Sequence, residues 1–242
     1  MKKQISRARA AWLTLALFLT VGILAVGRKE AVPADAAVDM EDTPPLIALT
    51  FDDGPMATTT PELLDGLAQR GVHATFFLVG EQIVGNEDIV QRMDAEGHQI
   101  GIHTFDHVTL TGLNQADFDA QVERTRQLLK TVLGHNDFLL RPPYGLLDEG
   151  VQTMAGCPVI LWSIDPEDWR DKNAGRVTEH IVSHAADGAV ILMHDIYPAS
   201  VQAALRVVDE LHAKGYLFVT VEELFAAKGI ELLPGQVYRS AQ

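Results

Sequence analysis

The chain has 242 residues, 47% of them hydrophobic and 21% charged, with 19 basic side chains against 33 acidic ones and a formal net charge of -14. It is too long and too apolar for a disordered tail or a disulfide-stapled miniprotein, and its single cysteine, Cys157, rules out an internal disulfide. The acidity argues against nucleic acid, whose phosphates need a basic face, and leaves a neutral or cationic substrate open.

The charge is unevenly spread. Residues 1–36 carry Lys2, Lys3, Arg7, Arg9, Arg28 and Lys29 against only Glu30 and Asp35, so a basic leader precedes a strongly acidic remainder. Between the basic clusters, residues 10–26 read AAWLTLALFLTVGILAV, without a charge. A basic start followed by such a run is a secretory signal or a single membrane anchor. A spanning helix needs ~17–25 apolar residues, so this run lies at the short limit. Ala34-Asp35-Ala36 offers a cleavage site, but Arg28-Lys29-Glu30 intervenes, which favours an uncleaved anchor with its basic end in the cytoplasm. The alternative is cleavage and secretion. The sequence thus divides into an anchor or signal at 1–30, a Pro/Ala/Asp-rich linker at 31–45, one domain at 46–229 on the extracytoplasmic side, and a C-terminal tail at 230–242.

Within the domain, short β-rich runs alternate with helical patterns. The predicted strands are 46–51, 74–79, 99–103, 138–141, 159–164, 189–193 and 217–220. Thr60-Pro61 before Leu63, Leu64 and Leu67 reads as an N-cap and first helical position, and Gly71 closes that helix. Phe118, Val122, Thr125, Leu129 and Val132 form an apolar helical face ending at Gly134. Val201, Leu205, Val208 and Leu211 form another, running to Gly215. Thr220 and Glu223 have capping-box spacing, and Gly229 ends the last helix. About seven strands in βα alternation predict an α/β fold with a parallel sheet. Their near-equal spacing favours a (β/α) barrel over an open sheet, which the family resemblance given below implies to be a distorted (β/α) barrel, with function at the C-terminal strand ends.

Five of the seven strands deliver ionisable groups to that end. His103 and His107 are four apart, so on a helical turn both imidazoles face one way, and with one carboxylate they form a metal site with open positions. Asp52 and Asp53 would point to opposite faces of a regular strand, but Gly54-Pro55 breaks it, so both carboxylates can turn to one pocket. One would then bind metal while the other acts as a base. His180 and His184 repeat the spacing in mid-helix, away from the strand ends, and read as surface.

Together the segments TFDDGP at 50–55, HTFDH at 103–107, RPPY at 141–144, DPEDW at 165–169 and LMH at 192–194 resemble the five motifs, in order, of the polysaccharide deacetylase family, the NodB-homology domain of carbohydrate esterase family 4. The resemblance spans most of residues 46–228 and implies a metal-dependent hydrolase that removes acetyl groups from N-acetylated sugars. It implies that Asp53, His103 and His107 bind a divalent metal, Zn²⁺ or alternatively Co²⁺, and that Asp52 is the general base, held as carboxylate by Arg141. His194 would be the general acid, tuned by Asp168, with the Tyr144 backbone N–H at the oxyanion and Trp169, Leu192 and Pro143 walling the acetyl pocket. Trp162 and Met193 read as packing, Cys157 as a small buried residue, and His73, His98, His135 and His212 as structural or surface residues.

The location outside the membrane points to the N-acetylglucosamine of peptidoglycan as substrate for a monomeric domain tethered through its N-terminal helix. Chitooligosaccharide deacetylation and acetylxylan esterase activity use the same site. A non-haem iron oxygenase would share the ligands but leave Asp52, Arg141 and His194 without roles. A silent glycan-binding domain would be expected to lack one of these groups.

Overall fold

The computed structural model describes residues 43–242. The anchor or signal at 1–30 and most of the linker lie outside the described residues, and no described helix is long and apolar enough to cross a membrane.

In chain order the elements are β1 (Leu46–Asp52), α1 (Thr60–Arg70), β2 (Thr75–Leu78), α2 (Gly80–Ile83), α3 (Glu87–Ala95), β3 (Gln99–Ile102), α4 (Gln115–Leu133), β4 (Leu139–Leu140), α5 (Glu149–Met154), β5 (Val159–Ile160), α6 (Ala174–His184), β6 (Ala189–His194), α7 (Pro198–Ala213), β7 (Leu217–Phe218), α8 (Val221–Ala227) and β8 (Val237–Tyr238). The strands form one curled parallel sheet in the order β6-β1-β2-β3-β4-β5-β8, with β7 beside the first residues of β1. Beyond β5 the chain stays extended long enough for a parallel bridge from Ile164 to Ile191 of β6, so the two sides of the curl meet near its C-terminal rim. All seven expected strands are present, several trimmed at their ends. An eighth, β8, comes from the segment expected as a tail. Two residues paired with Val159 and Ile160 are too short to leave a periodic signal in the sequence.

Strand alternation divides the side chains between two cores. Ile47, Leu49, Phe51, Phe76, Leu78, Ile100, Ile102, Ile191 and Met193 join the buried helix faces in the larger one. The opposite set, Ala48, Phe77, Leu139, Ile160 and Val190, packs inside the curl. Gly101 has no side chain because a Cβ there would lie 2.5 Å from the Phe77 ring. α8 behaves unlike the other helices, since its Val221, Leu224 and Phe225 join the interior set and close the curl at its N-terminal end. The expected capping box is formed: Thr220 accepts from the Glu223 N–H and the Glu223 side chain accepts from Thr220 N–H. Thr60, expected as an N-cap, is instead the first helical residue of α1, and its hydroxyl donates to Asp195 while accepting from Met56 N–H. Gly71 and Gly134 end their helices with left-handed φ of 63° and 83°.

Because Phe225 is fully buried among the interior residues, Phe225→Ala is expected to lower unfolding stability by ~3–5 kcal/mol, measured by urea denaturation. A loss below ~1 kcal/mol would mean that α8 does not close the interior.

Candidate active site

The inward columns of side chains change from apolar to polar as they approach the C-terminal rim. On β1 the column is Ala48, Thr50, Asp52; on β3 it is Gln99, Gly101 and then His103; on β4 it is Leu139 and then Arg141; on β6 it is Val190, Leu192, His194. Alternation alone would turn Asp53 away. Its backbone instead takes a left-handed φ of 74°, and the carboxylate returns to the same side as Asp52. Among the described residues the non-glycine positions with positive φ are Asp53, Thr104, His107, Tyr144 and Glu167, all in loops after β1, β3, β4 and β5. Such conformations are costly for residues with a Cβ and cluster where a scaffold holds side chains for function.

Arg141 is completely buried and anchors the centre of the site. Its guanidinium donates to Asp52 Oδ1 at 2.7 Å, to Thr50 Oγ1 at 2.7 Å, and to the carbonyls of Ile160 and Leu161 at 3.1 Å. The Phe77 ring lies under it, 4.0 Å from the guanidinium carbon. Four of the five N–H donors are thus paired, one of them with a carboxylate, as burial of a cation requires. Asp52 Oδ2 remains free of Arg141 and lies 3.7 Å from His103 Nε2.

Asp53, His103 and His107 each offer one ligand atom within 4.8 Å of the others. His103 Nδ1 lies 2.6 Å from the Arg141 carbonyl, which can only accept, so Nδ1 carries the hydrogen and Nε2 presents its lone pair to Asp53 Oδ1 at 3.5 Å. Burial also holds the His103 pKa below the ordinary value, against the attraction of Asp52 and Asp53. Burial raises the Asp53 carboxyl, but the contact with His107 and the charges of His103 and His194 outweigh it and leave its pKa lowered. Although His107 Nε2 approaches Asp53 Oδ1 to 3.1 Å, the direction is poor for a ring N–H, and that buried oxygen has no hydrogen bond. A buried lone pair, an orphaned carboxylate oxygen and a second ring nitrogen facing one another repel unless a cation lies between them. The donor set therefore fits a divalent metal. The orienting bond from His103 to a backbone carbonyl is the support that metal-binding imidazoles usually have.

Asp168, fully buried, accepts from the His194 N–H at 2.9 Å and from its Nδ1 at 2.8 Å. Burial opposes the imidazolium. The Asp168 bond and charge, with Asp52 and Asp53 beyond, overcome it and carry the His194 pKa up to about 9.

These groups meet in a cavity of about 380 Å³ lined by Asp52, Asp53, His103, His107, Tyr144, Trp162, Asp165, Trp169, Leu192, His194 and Tyr197. Arg141 and Asp168 stand behind its wall. Leu192 and Trp169 line it as expected, Trp169 being 48% exposed. Pro143 does not line it and is buried in the turn that carries Tyr144. Tyr144 is mostly exposed, with its hydroxyl 3.3 Å from His107 Nδ1. Trp162, expected to be packing alone, also lines the cavity. It lies two residues beyond inward-facing Ile160, so strand alternation would have found it. Asp165 and Tyr197 sit in loops without that periodicity. Burial raises the Tyr197 phenol, and the charges of Asp53 and Asp168 add to this.

The remaining residues fall where expected. His180 and His184 are exposed on α6 with stacked rings, Cys157 is buried, and His98 accepts from the Ala74 N–H at 3.0 Å as a core histidine, its pKa lowered to about 4 by burial and then by His73. Asp195, next after His194, does not line the cavity and accepts from the Thr60 hydroxyl. Burial raises its pKa to about 7, and its carboxylate would sit 2.4 Å from any Cβ at position 54, so that position must be Gly54.

The family model described as polysaccharide deacetylase matches residues 39–157. A peptidoglycan-N-acetylglucosamine deacetylase of Listeria monocytogenes is 41% identical over 182 residues, 75% of this chain and 39% of that protein. The chain thus spans about two fifths of that relative. A peptidoglycan-N-acetylglucosamine deacetylase of Bacillus cereus is 33% identical over 210 residues, covering 83% of this chain and 98% of that one. Among solved structures, a family 4 acetyl xylan esterase from Clostridium thermocellum, in complex with a cobalt ion, superposes with a TM-score of 0.77 at 28% identity, over 81% of this chain and 98% of that chain.

With Asp168→Asn the carboxylate that raises His194 is lost, so its pKa is expected to fall by at least ~1 unit, followed by NMR titration of the imidazole C–H. In the unsubstituted protein, this raised pKa contributes stability in full below about 6.5, lost as pH rises through about 9. An unmoved His194 titration would exclude Asp168 as the cause.

Proposed function

The chain belongs to the polysaccharide deacetylase family, and we propose that it hydrolyses acetyl groups from N-acetylglucosamine in cell-wall peptidoglycan, releasing acetate. The observation that carries this reading is the cavity in which Asp52, His194 and the Asp53–His103–His107 cluster converge. Residues 46–229, extended by the β8 segment to 242, form the catalytic domain in this reading, working outside the membrane and tethered through 1–30.

An amide is a poor electrophile with a poor leaving group, so the reaction needs a base, a donor to the oxyanion and an acid. Asp52 is the base. Arg141 engages Oδ1 and fixes the carboxylate, leaving Oδ2 to take a proton from the attacking water. The Tyr144 backbone N–H donates to the developing oxyanion, an interaction typically worth ~3–4 kcal/mol per donor. His194 donates through Nε2 to the departing nitrogen, since Nδ1 is committed to Asp168. Its raised pKa keeps it protonated at neutral pH. Leu192 and Trp169 take the acetyl methyl. Asp53, His103 and His107 would hold Zn²⁺, with Co²⁺ suiting the same donors, which supplies a Lewis acid for the carbonyl and lowers the pKa of water.

A second reading, deacetylation of an ester on xylan, uses the same groups and is favoured by the likeness to the acetyl xylan esterase. Acetate release from peptidoglycan, chitooligosaccharide and acetylxylan separates the two. The rate is expected to be highest on peptidoglycan, to fall at least ~100-fold in Asp52→Asn, and to vanish on chelation and return with Zn²⁺. An Asp52→Asn rate within twofold of wild type would refute the base assignment, and acetylxylan as the preferred substrate would establish the second reading.

A further inference from the structure

The two imidazoles of the proposed metal site are supported differently. His103 is buried, and its Nδ1 bonds the Arg141 carbonyl at 2.6 Å, a backbone atom that cannot turn away. His107 is half-buried, and among the described residues the partner of its Nδ1 is the Tyr144 hydroxyl, 3.3 Å away. The two rings meet edge to face with centroids 5.0 Å apart. Tyr144 is 64% exposed, so this support stands at the lip of the cavity. Its loop is nevertheless fixed. Tyr144 and Gly145 have φ of 61° and 65°, and a Cβ at position 145 would lie 2.9 Å from the Trp162 ring. The Gly112 N–H donates to Asp148 Oδ2 at 2.8 Å, which ties the loop carrying His107 to the one carrying Tyr144.

The two contacts of the His107 ring decide where its hydrogen lies. Its Nε2 faces Asp53 Oδ1 at 3.1 Å, but that oxygen has no hydrogen bond, so Nε2 does not donate there. With the hydrogen on Nδ1, the ring donates to the Tyr144 oxygen and leaves the Nε2 lone pair facing Asp53. A neutral imidazole without such a partner favours the hydrogen on Nε2, which then has no lone pair to offer a cation. Metal-binding imidazoles usually donate their other N–H to a carboxylate, a carbonyl or water. Here a phenol stands in that place.

We propose that the Tyr144 side chain is a positioning residue, whose hydroxyl oxygen accepts from His107 Nδ1–H and so sets the tautomer in which His107 can bind a divalent metal. This rests on the metal-site reading above and gives the side chain a role separate from that of its backbone N–H. The metal would thus have one ligand fixed from the buried backbone and one set from the lip of the cavity.

The test compares the full chain with Tyr144→Phe, which keeps the ring and removes the acceptor, and Tyr144→Ala, which removes both. Proton–nitrogen correlation NMR of the metal-free protein, well above the ordinary imidazole pKa of ~6.5, reads which ring nitrogen carries hydrogen. Zn²⁺ affinity is measured by competition with a chromogenic chelator. In the wild type, His103 and His107 are both expected to carry hydrogen on Nδ1. In Tyr144→Phe the His107 hydrogen moves to Nε2 while His103, held by the Arg141 carbonyl, is unmoved, and the Kd for Zn²⁺ rises about tenfold or more. An unchanged His107 tautomer in Tyr144→Phe, or an affinity lost only in Tyr144→Ala, would overturn the proposal and leave the ring as packing. A wild type that binds no Zn²⁺ would instead overturn the metal-site reading, and the His107 nitrogen signals would still decide whether the hydroxyl sets the tautomer.

Discussion

The guanidinium of Arg141 is the constraint on which the centre of this molecule depends. Buried without access to water, it needs partners for its donors and finds them on two other strands: Asp52 and Thr50 on β1, and the carbonyls of Ile160 and Leu161 at and just beyond β5, while standing itself at the end of β4. Its own carbonyl then fixes the tautomer of His103. One side chain therefore links the backbone of the curl, the carboxylate proposed as base and the orientation of an imidazole proposed to hold metal. Breaking such a buried pair from one side leaves an uncompensated charge, which typically costs ~3–5 kcal/mol. Stability and the proposed chemistry are consequently not separable at this residue.

A second constraint is the period of two. The same alternation that sends Ile47, Leu49 and Phe51 to the helices sends Ala48, Thr50 and Asp52 inward, and the polar end of each inward column comes to the rim. Where alternation would misplace a group, the backbone leaves ordinary φ. Asp53, His107 and Tyr144 all do so, in loops held by the strands beneath them. The interior is apolar low down, carries one satisfied charge in the middle, and is rich in titratable groups at the top.

Most of this was legible in the sequence because it follows from local pattern. Long strands such as β1 and β6 announced themselves by their apolar runs, and the glycine ends of α1 and α4 by position. The clustering of Asp52, Asp53, His103, His107 and His194 was legible because each follows a strand, and the roles proposed for them come from the family resemblance of the motifs that carry them. Apart from Trp162, what escaped had no local signal. β8 is a two-residue strand whose existence depends on β5 being free on one side. α8 has an ordinary helical face, and nothing in its sequence says that the partner is the inside of the sheet. Trp162 was ambiguous because a tryptophan on an inward column serves as packing at one end and as cavity wall at the other. Asp165 and Tyr197 depend on loop paths.

The seal formed by Val221, Leu224 and Phe225 has a kinetic side. A curl closed at one end has no back door, so whatever enters the cavity leaves by the mouth it came through. In the reaction proposed above, a long glycan lies across that mouth, since it cannot thread through. The small acid set free beneath it has to escape past the very chain that delivered it. Turnover on a polymer is then tied to how readily the glycan lifts or slides, and short oligomers, which vacate the mouth easily, escape that constraint.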